Sequence, residues 1–304
     1  PILPSPPPGG WTLNRPLFGG DLSGAITQPS PTQYQGIASY LFKNGDSLGA
    51  NALLGTQPWQ LEHYGLNGDF GLGKGGRAKF GFDADPPKDG YKWLTDIKLG
   101  DGSLFNADLT KTQKGEIFNA NGLWKINQEQ QLSGATQING LDHTGDLKLK
   151  WNHTDKHYLN FGLNDSPAGT IYTGDGKTTF KPGETLSGNF EINGITKTNG
   201  LNLKWNDNDK HLFDLDYRGG KDGTVVKTSG LTTLDSGGVL SGSANYNENE
   251  KLTDLKLKGN FNEKHKFDFT FKDTPTGSIF KVDGKTTFGH GETATASFER
   301  NTIE

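Results

Sequence analysis

Slid against itself by 54 residues, this chain meets its own pattern, and any fold must honour that register. Lys150-Trp151-Asn152 falls on Lys204-Trp205-Asn206, and Asp155-Lys156-His157 falls on Asp209-Lys210-His211. At twice the shift, Asp146-Leu147-Lys148-Leu149-Lys150 meets Asp254-Leu255-Lys256-Leu257-Lys258. Asp175-Gly176-Lys177-Thr178-Thr179-Phe180 likewise meets Asp283-Gly284-Lys285-Thr286-Thr287-Phe288. Asn139, Asn193, Asn247 and Asn301 keep step. The repeat delimits four units, 96–145, 146–199, 200–253 and 254–304. A period of this size marks one supersecondary unit stacked on copies of itself.

Inside a unit the apolar residues alternate with polar ones. Leu147, Leu149 and Trp151 interleave with Lys148 and Lys150, and Leu159, Phe161 and Leu163 with Asn160 and Asn164. The matching second strands hold Phe213, Leu215 and Tyr217, then Phe267, Phe269 and Phe271. Period-two alternation puts the apolar side chains on one face of a strand. A third strand follows Gly169, Gly223 and Gly277, and a fourth presents Leu186, Gly188, Phe190 and Ile192. Asn-Asp and Asp-Lys clusters predict turns between first and second strands. Asp175-Gly176 and Asp283-Gly284 predict hairpin turns between third and fourth, because both residue types tolerate positive φ.

Upstream, residues 37–42 and 48–54 flank Asn44-Gly45 as a further hairpin, and 69–72 and 79–82 resemble first and second strands of the unit. The expected fold is all-β: an antiparallel up-and-down meander of about 20 strands. Residues 36–95 form its N-terminal hairpins and continue into the four units as one β domain. Residues 1–35 are expected as a Pro-rich extended arm, since Pro4, Pro6, Pro7 and Pro8 cannot donate ladder hydrogen bonds.

A sheet with one apolar face must hide it. A round barrel of this many strands would enclose a wide interior. A flattened barrel or an elongated two-layer sandwich brings facing walls to ~10 Å and is the expected architecture. The third solution turns the apolar face toward lipid, which asks for strands of ~9–11 residues. The apolar stripes here hold three or four positions each.

Composition closes several chemistries. Without Cys there is no disulfide, thiolate nucleophile or Cys-based metal site. No apolar run approaches the ~18–20 residues of a spanning helix. A net charge of −4 supplies no strong field for nucleic acid or for an anionic membrane. His157, His211 and His265 share one repeat position and read as structural. His153 and His157 flank a hairpin, where their spacing does not converge on one ion. Gly174-Asp175-Gly176-Lys177-Thr178 carries Ile171 where a phosphate loop requires Gly. Asp155, Asp209 and Asp216 lack the order of a calcium loop. No Ser-His-Asp set or paired carboxylates stand out. The expectation is a non-enzymatic protein with no catalytic residue, cofactor or metal.

Trp151 and Trp205 share the face of Leu147, Leu149, Leu201 and Leu203 and read as core. Trp11, Trp59, Trp93 and Trp124 are the candidate aromatic contact residues, suited to carbohydrate stacking or to a membrane interface. Asn152-His153-Thr154 is a sequon near a turn, which makes Asn152 a candidate glycosylation site on a eukaryotic secretory route. The missing initial Met leads to the expectation of a processed, secreted, extracellular chain whose signal was removed.

Phe18-Gly19-Gly20-Asp21-Leu22-Ser23-Gly24-Ala25-Ile26-Thr27-Gln28, then Ser39-Tyr40-Leu41-Phe42-Lys43-Asn44-Gly45 and Leu48-Gly49-Ala50-Asn51-Ala52, resemble the attacins, glycine-rich and cysteine-free insect immune proteins. Leu66-Asn67-Gly68-Asp69-Phe70-Gly71-Leu72 and Lys79-Phe80-Gly81-Phe82-Asp83-Ala84-Asp85 extend the similarity, which covers mainly residues 18–105. The resemblance implies a secreted β-rich defence protein that binds or perturbs the Gram-negative bacterial envelope or its lipopolysaccharide. This chain departs from attacins in its length, its acidic balance and its four regular meanders. A second expectation is a self-assembling structural or adhesive extracellular protein, joined silk-like or filament-like through sheet edges. A third is a ligand-binding or membrane-inserting β-barrel.

Overall fold

The computed structural model describes residue 7 and residues 10–56, 59–261 and 264–302. Their pattern folds as one 22-stranded antiparallel up-and-down sheet. The strands are β1 Trp11–Leu17, β2 Gly20–Ser30, β3 Gln33–Phe42, β4 Ser47–Thr56, β5 Trp59–Gly73, β6 Gly76–Asp85, β7 Gly90–Lys98 and β8 Leu104–Thr112. They continue as β9 Gly115–Lys125, β10 Gln130–Asn139, β11 Thr144–His153, β12 His157–Ser166, β13 Gly169–Lys181, β14 Glu184–Asn193 and β15 Thr198–Asp207. The last seven are β16 His211–Gly220, β17 Gly223–Thr233, β18 Val239–Asn247, β19 Leu252–Phe261, β20 His265–Thr274, β21 Gly277–Thr287 and β22 Thr293–Asn301. Among the described residues the helical content is a single 3₁₀ turn, Pro86–Lys88.

Strand starts at Thr144, Thr198 and Leu252 keep the 54-residue spacing. The ladders do not mark off groups of four, since β13 to β22 pair each with the next without interruption. By density of contacts the chain divides into two units. One comprises Pro1–Leu149 with Asp165–Pro167, the other Lys150–Asn164 with Ala168–Glu304.

Two expectations give way. Residues 11–30 form the hairpin β1–β2 within the segment expected as an arm, raising the strand count from about 20 to 22. Of the proline tract, Pro4, Pro6 and Pro8 lie outside the described residues. Pairing is possible because the ladder meets only two prolines. Pro16 lies in β1, which the described ladders pair with β2, and Pro29 sits where the β2–β3 register shifts between Thr27 and Ser30.

Asp175-Gly176 and Asp283-Gly284, expected as hairpin turns, are strand interior. Asp175 faces Asn189 and Gly176 faces Gly188, while Asp283 faces Ser297. A Cβ on Gly176 would lie 3.1 Å from the Tyr158 carbonyl oxygen and 3.3 Å from Leu159. Glycine here permits close approach of a neighbouring strand. The turn falls instead at Pro182-Gly183, with Gly183 at φ +83°. Asn208 and Asp209 at φ +51° and +58° make the expected tight turn between β15 and β16.

Candidate functional surface

Register and pleat together sort the side chains of each unit onto two faces. In the first unit one row runs Leu13, Gly24, Ala38, Ala50, Leu66, Phe82, Trp93, Leu109, Phe118 and Ile138, each opposite the next. In the second unit the corresponding face carries Gly188, Leu203, Leu215, Thr228, Ala244, Leu255, Phe271 and Phe280.

The opposite face is polar and paired with itself. Ser23 and Ser39 hydroxyls meet at 2.6 Å across β2–β3. Asn119 donates to Asp108 at 2.9 Å across β8–β9, and Ser297 to Asp283 at 2.6 Å across β21–β22. Lys204 pairs with Asp214 at 3.4 Å and Lys258 with Asp268 at 3.1 Å, each directly across the ladder. Such exposed pairs contribute ~0–1 kcal/mol each. They make much of that face hydrophilic, although Ile37, Leu41 and Leu94 also lie on it and are exposed.

The apolar face is not covered. Among the described residues no large side chain is fully buried, and the buried hydrophobics are Tyr34, Ala84 and Ala107. Leu66 is 47% exposed, Phe298 57% and Trp124 60%. A hollow of 310 Å³ on the first unit's apolar face is lined by Phe105, Gly122, Trp124, Leu132 and Leu149. The other face holds broader hollows, including one of 940 Å³ beside Asp175, Asn189, Asn202 and Arg218.

The structure places Trp11, Trp93 and Trp124 on the apolar face, opposite Ile26, Leu109 and Leu132 respectively. Trp59 opens β5, and its side chain lies outside those described. Trp151 and Trp205 lie on the leucine face as expected but are half-buried. They stand against histidines. Trp205 stacks on His211 at 6.1 Å between ring centres, and Trp151 approaches His153 at 6.0 Å, which stacks on His157 at 5.4 Å. Asn152 is half-buried at the end of β11.

Sequence reasoning missed the tyrosines. Tyr34, Tyr64, Tyr91, Tyr172, Tyr217 and Tyr246 all sit on the apolar face, toward the end where even-numbered strands turn into odd-numbered ones. They occupy no common repeat position, so the 54-residue register hides them. Distance from the nearest turn combined with strand parity would have found them. One of their polar tips has a partner near the rim. The Tyr91 hydroxyl reaches Glu116 at 3.4 Å, with Lys111 5.7 Å from its ring centre.

Two groups in the turns carry shifted ionisation. The Ser103 backbone N–H, 2.8 Å from Asp101, holds that carboxyl below its ordinary value. Asp85, 2.7 Å away, raises Lys88. Among the described residues no group of three or more His, Cys, Asp or Glu side chains could hold a metal ion. Among the described residues no helix is long and apolar enough to cross a membrane. No family model, curated protein or solved structure matches this chain.

Proposed function

We propose that this chain is a secreted, non-enzymatic defence protein that binds and perturbs the Gram-negative bacterial envelope by seating its apolar sheet face among lipid acyl chains. The observation that carries the reading is the uncovered apolar face on strands of bilayer length. Nineteen of the 22 strands have 9–11 residues, and ~10 residues tilted by ~45° suit a hydrocarbon core. The resemblance of residues 18–105 to attacins directs the reading to the bacterial envelope. A flattened barrel or two-layer sandwich would hide the same face against itself. The exposure of Leu66, Trp124 and Phe298 favours an apolar partner outside the chain.

Hydrocarbon tolerates no unpaired sheet edge. In lipid, then, the edges of the sheet need partners.

Flotation with vesicles tests this reading. Vesicles of phosphatidylethanolamine and phosphatidylglycerol, with and without lipopolysaccharide, should carry the protein upward, and growth of Gram-negative cells should slow at micromolar protein. Protein left at the bottom of the gradient with both vesicle types would sink the proposal.

A second reading, self-assembly, is favoured by β1 and β22, which are exposed along their full length. Sedimentation of a concentration-independent monomer in lipid-free buffer would remove it.

A further inference from the structure

We infer that the sheet does not lie flat on lipid but crosses it strand by strand, with one aromatic rim in each head-group layer. This rests on the lipid reading above and specifies its geometry. Three observations carry it. The first is the tyrosine rim: six of the eight tyrosines share one end of the apolar face. Tyrosine and tryptophan prefer the membrane interface, where the ring is greasy and the polar tip wet.

The second is the opposite rim, where odd-numbered strands turn into even-numbered ones. There Trp124 lies one residue from the end of β9, Trp205 stacks on His211, and Phe261 stacks on Phe267 at 6.2 Å. The third is what lies between the rims. Between the rims the face is built from Gly, Ala, Leu, Thr, Val and Phe, as in the row Leu203, Leu215, Thr228, Ala244, Leu255, Phe271 and Phe280, and the described tyrosines of that face stand toward the strand ends, while Trp93 stands mid-strand in β7. A sheet lying flat would put its rims and its middle at one depth, and nothing would sort the tyrosines to the ends. A crossing sheet needs this order, and its ~10-residue strands supply the ~25 Å apolar band. The polar, self-paired face then lines the side away from lipid.

The chain has no cysteine, so one introduced cysteine gives one labelled position. Thr224, Thr228 and Thr232 lie on the apolar face of β17 at the tyrosine rim, the middle and the other rim, facing Gly219, Leu215 and His211. The variants Thr224→Cys, Thr228→Cys and Thr232→Cys are each labelled with a nitrobenzoxadiazole dye and mixed with vesicles of the composition above, whose acyl chains carry quenchers at graded depths. The label at 228 should be quenched most by the deepest quencher, and those at 224 and 232 by shallow ones. Dithionite added outside should bleach one rim label and spare the other. Equal depth at all three positions overturns the crossing geometry while leaving lipid binding intact. Absence of vesicle association removes the lipid reading and this inference with it.

Polarised infrared spectra of the unmodified protein in oriented bilayers give a check free of substitution. Strands tilted ~35–45° from the normal are expected, and strands parallel to the membrane plane overturn the inference.

Discussion

At the scale of residues, the sheet depends on which positions lack a side chain. Glycine in a strand interior usually weakens it, yet several here lie under an aromatic ring from the neighbouring strand. The Phe267 ring covers Gly259, Phe190 covers Gly174, and Phe80 covers Gly68, each pair directly opposite in register. This pairing lets the ring lie along the pleat and shields backbone that would otherwise be bare. Gly188 is tighter still. A Cβ there would stand 2.6 Å from Leu203 Cδ2 and 2.7 Å from the Asn202 carbonyl oxygen, and the backbone atom cannot give way. Gly188→Ala should therefore cost about 1–3 kcal/mol by overpacking, read as a lower denaturant midpoint. Gly36→Ala, with open space around its Cβ, should leave stability unchanged or slightly raised. Equal effects from the two substitutions would show that the close contact carries no energy.

At the scale of elements, each strand is defined by its partners, and the described ladders pair the end strands on one side only. β1 and β22 carry two of the four arginines, Arg15 and Arg300, opposite Leu22 and Phe280 and therefore on the apolar face. The other two, Arg77 and Arg218, pair with Asp69 and Asp216 on the polar face. A charge pointing to the apolar side of an edge strand, with Pro16 beside it in β1, discourages pairing with another chain. Arg300→Val should raise self-association, seen as a shift to larger species in sedimentation velocity at fixed concentration. An unchanged distribution would mean that the arginine does not guard the edge. Strand β13 shows where sequence patterns mislead. Asp175-Gly176 carries a strong local hairpin signal, yet the pairing of β12, β13 and β14 overrides it. Asn160 donates to Asp175 at 2.9 Å from one side, and Asn189 stands opposite from the other.

At the scale of the whole molecule, two faces of opposite character and, among the described residues, no fully buried large side chain describe a sheet unsatisfied as a surface. The unmodified protein should bind an apolar fluorescent dye without denaturant, and mild detergent above its micelle concentration should displace the dye while leaving strand content by circular dichroism unchanged. Absence of dye binding would mean that the face is covered in solution. Much of this was legible beforehand. Alternation at Leu147, Leu149 and Trp151, repeated at 54 residues, determined strands, their direction and which side chains share a face, because the pleat is local and each residue takes its side from its neighbours. The repeat also led, correctly, to an all-β meander. It did not disclose that residues 11–30 join the sheet, that Asp175-Gly176 lies mid-strand, or that the tyrosines collect along one rim. Those features depend on pairing between segments and on distance from turns that the repeat does not share. Above all, alternation says that an apolar face exists but not what covers it. Only the tertiary structure left that face open, because covering it requires a surface brought from elsewhere, and no local pattern specifies one.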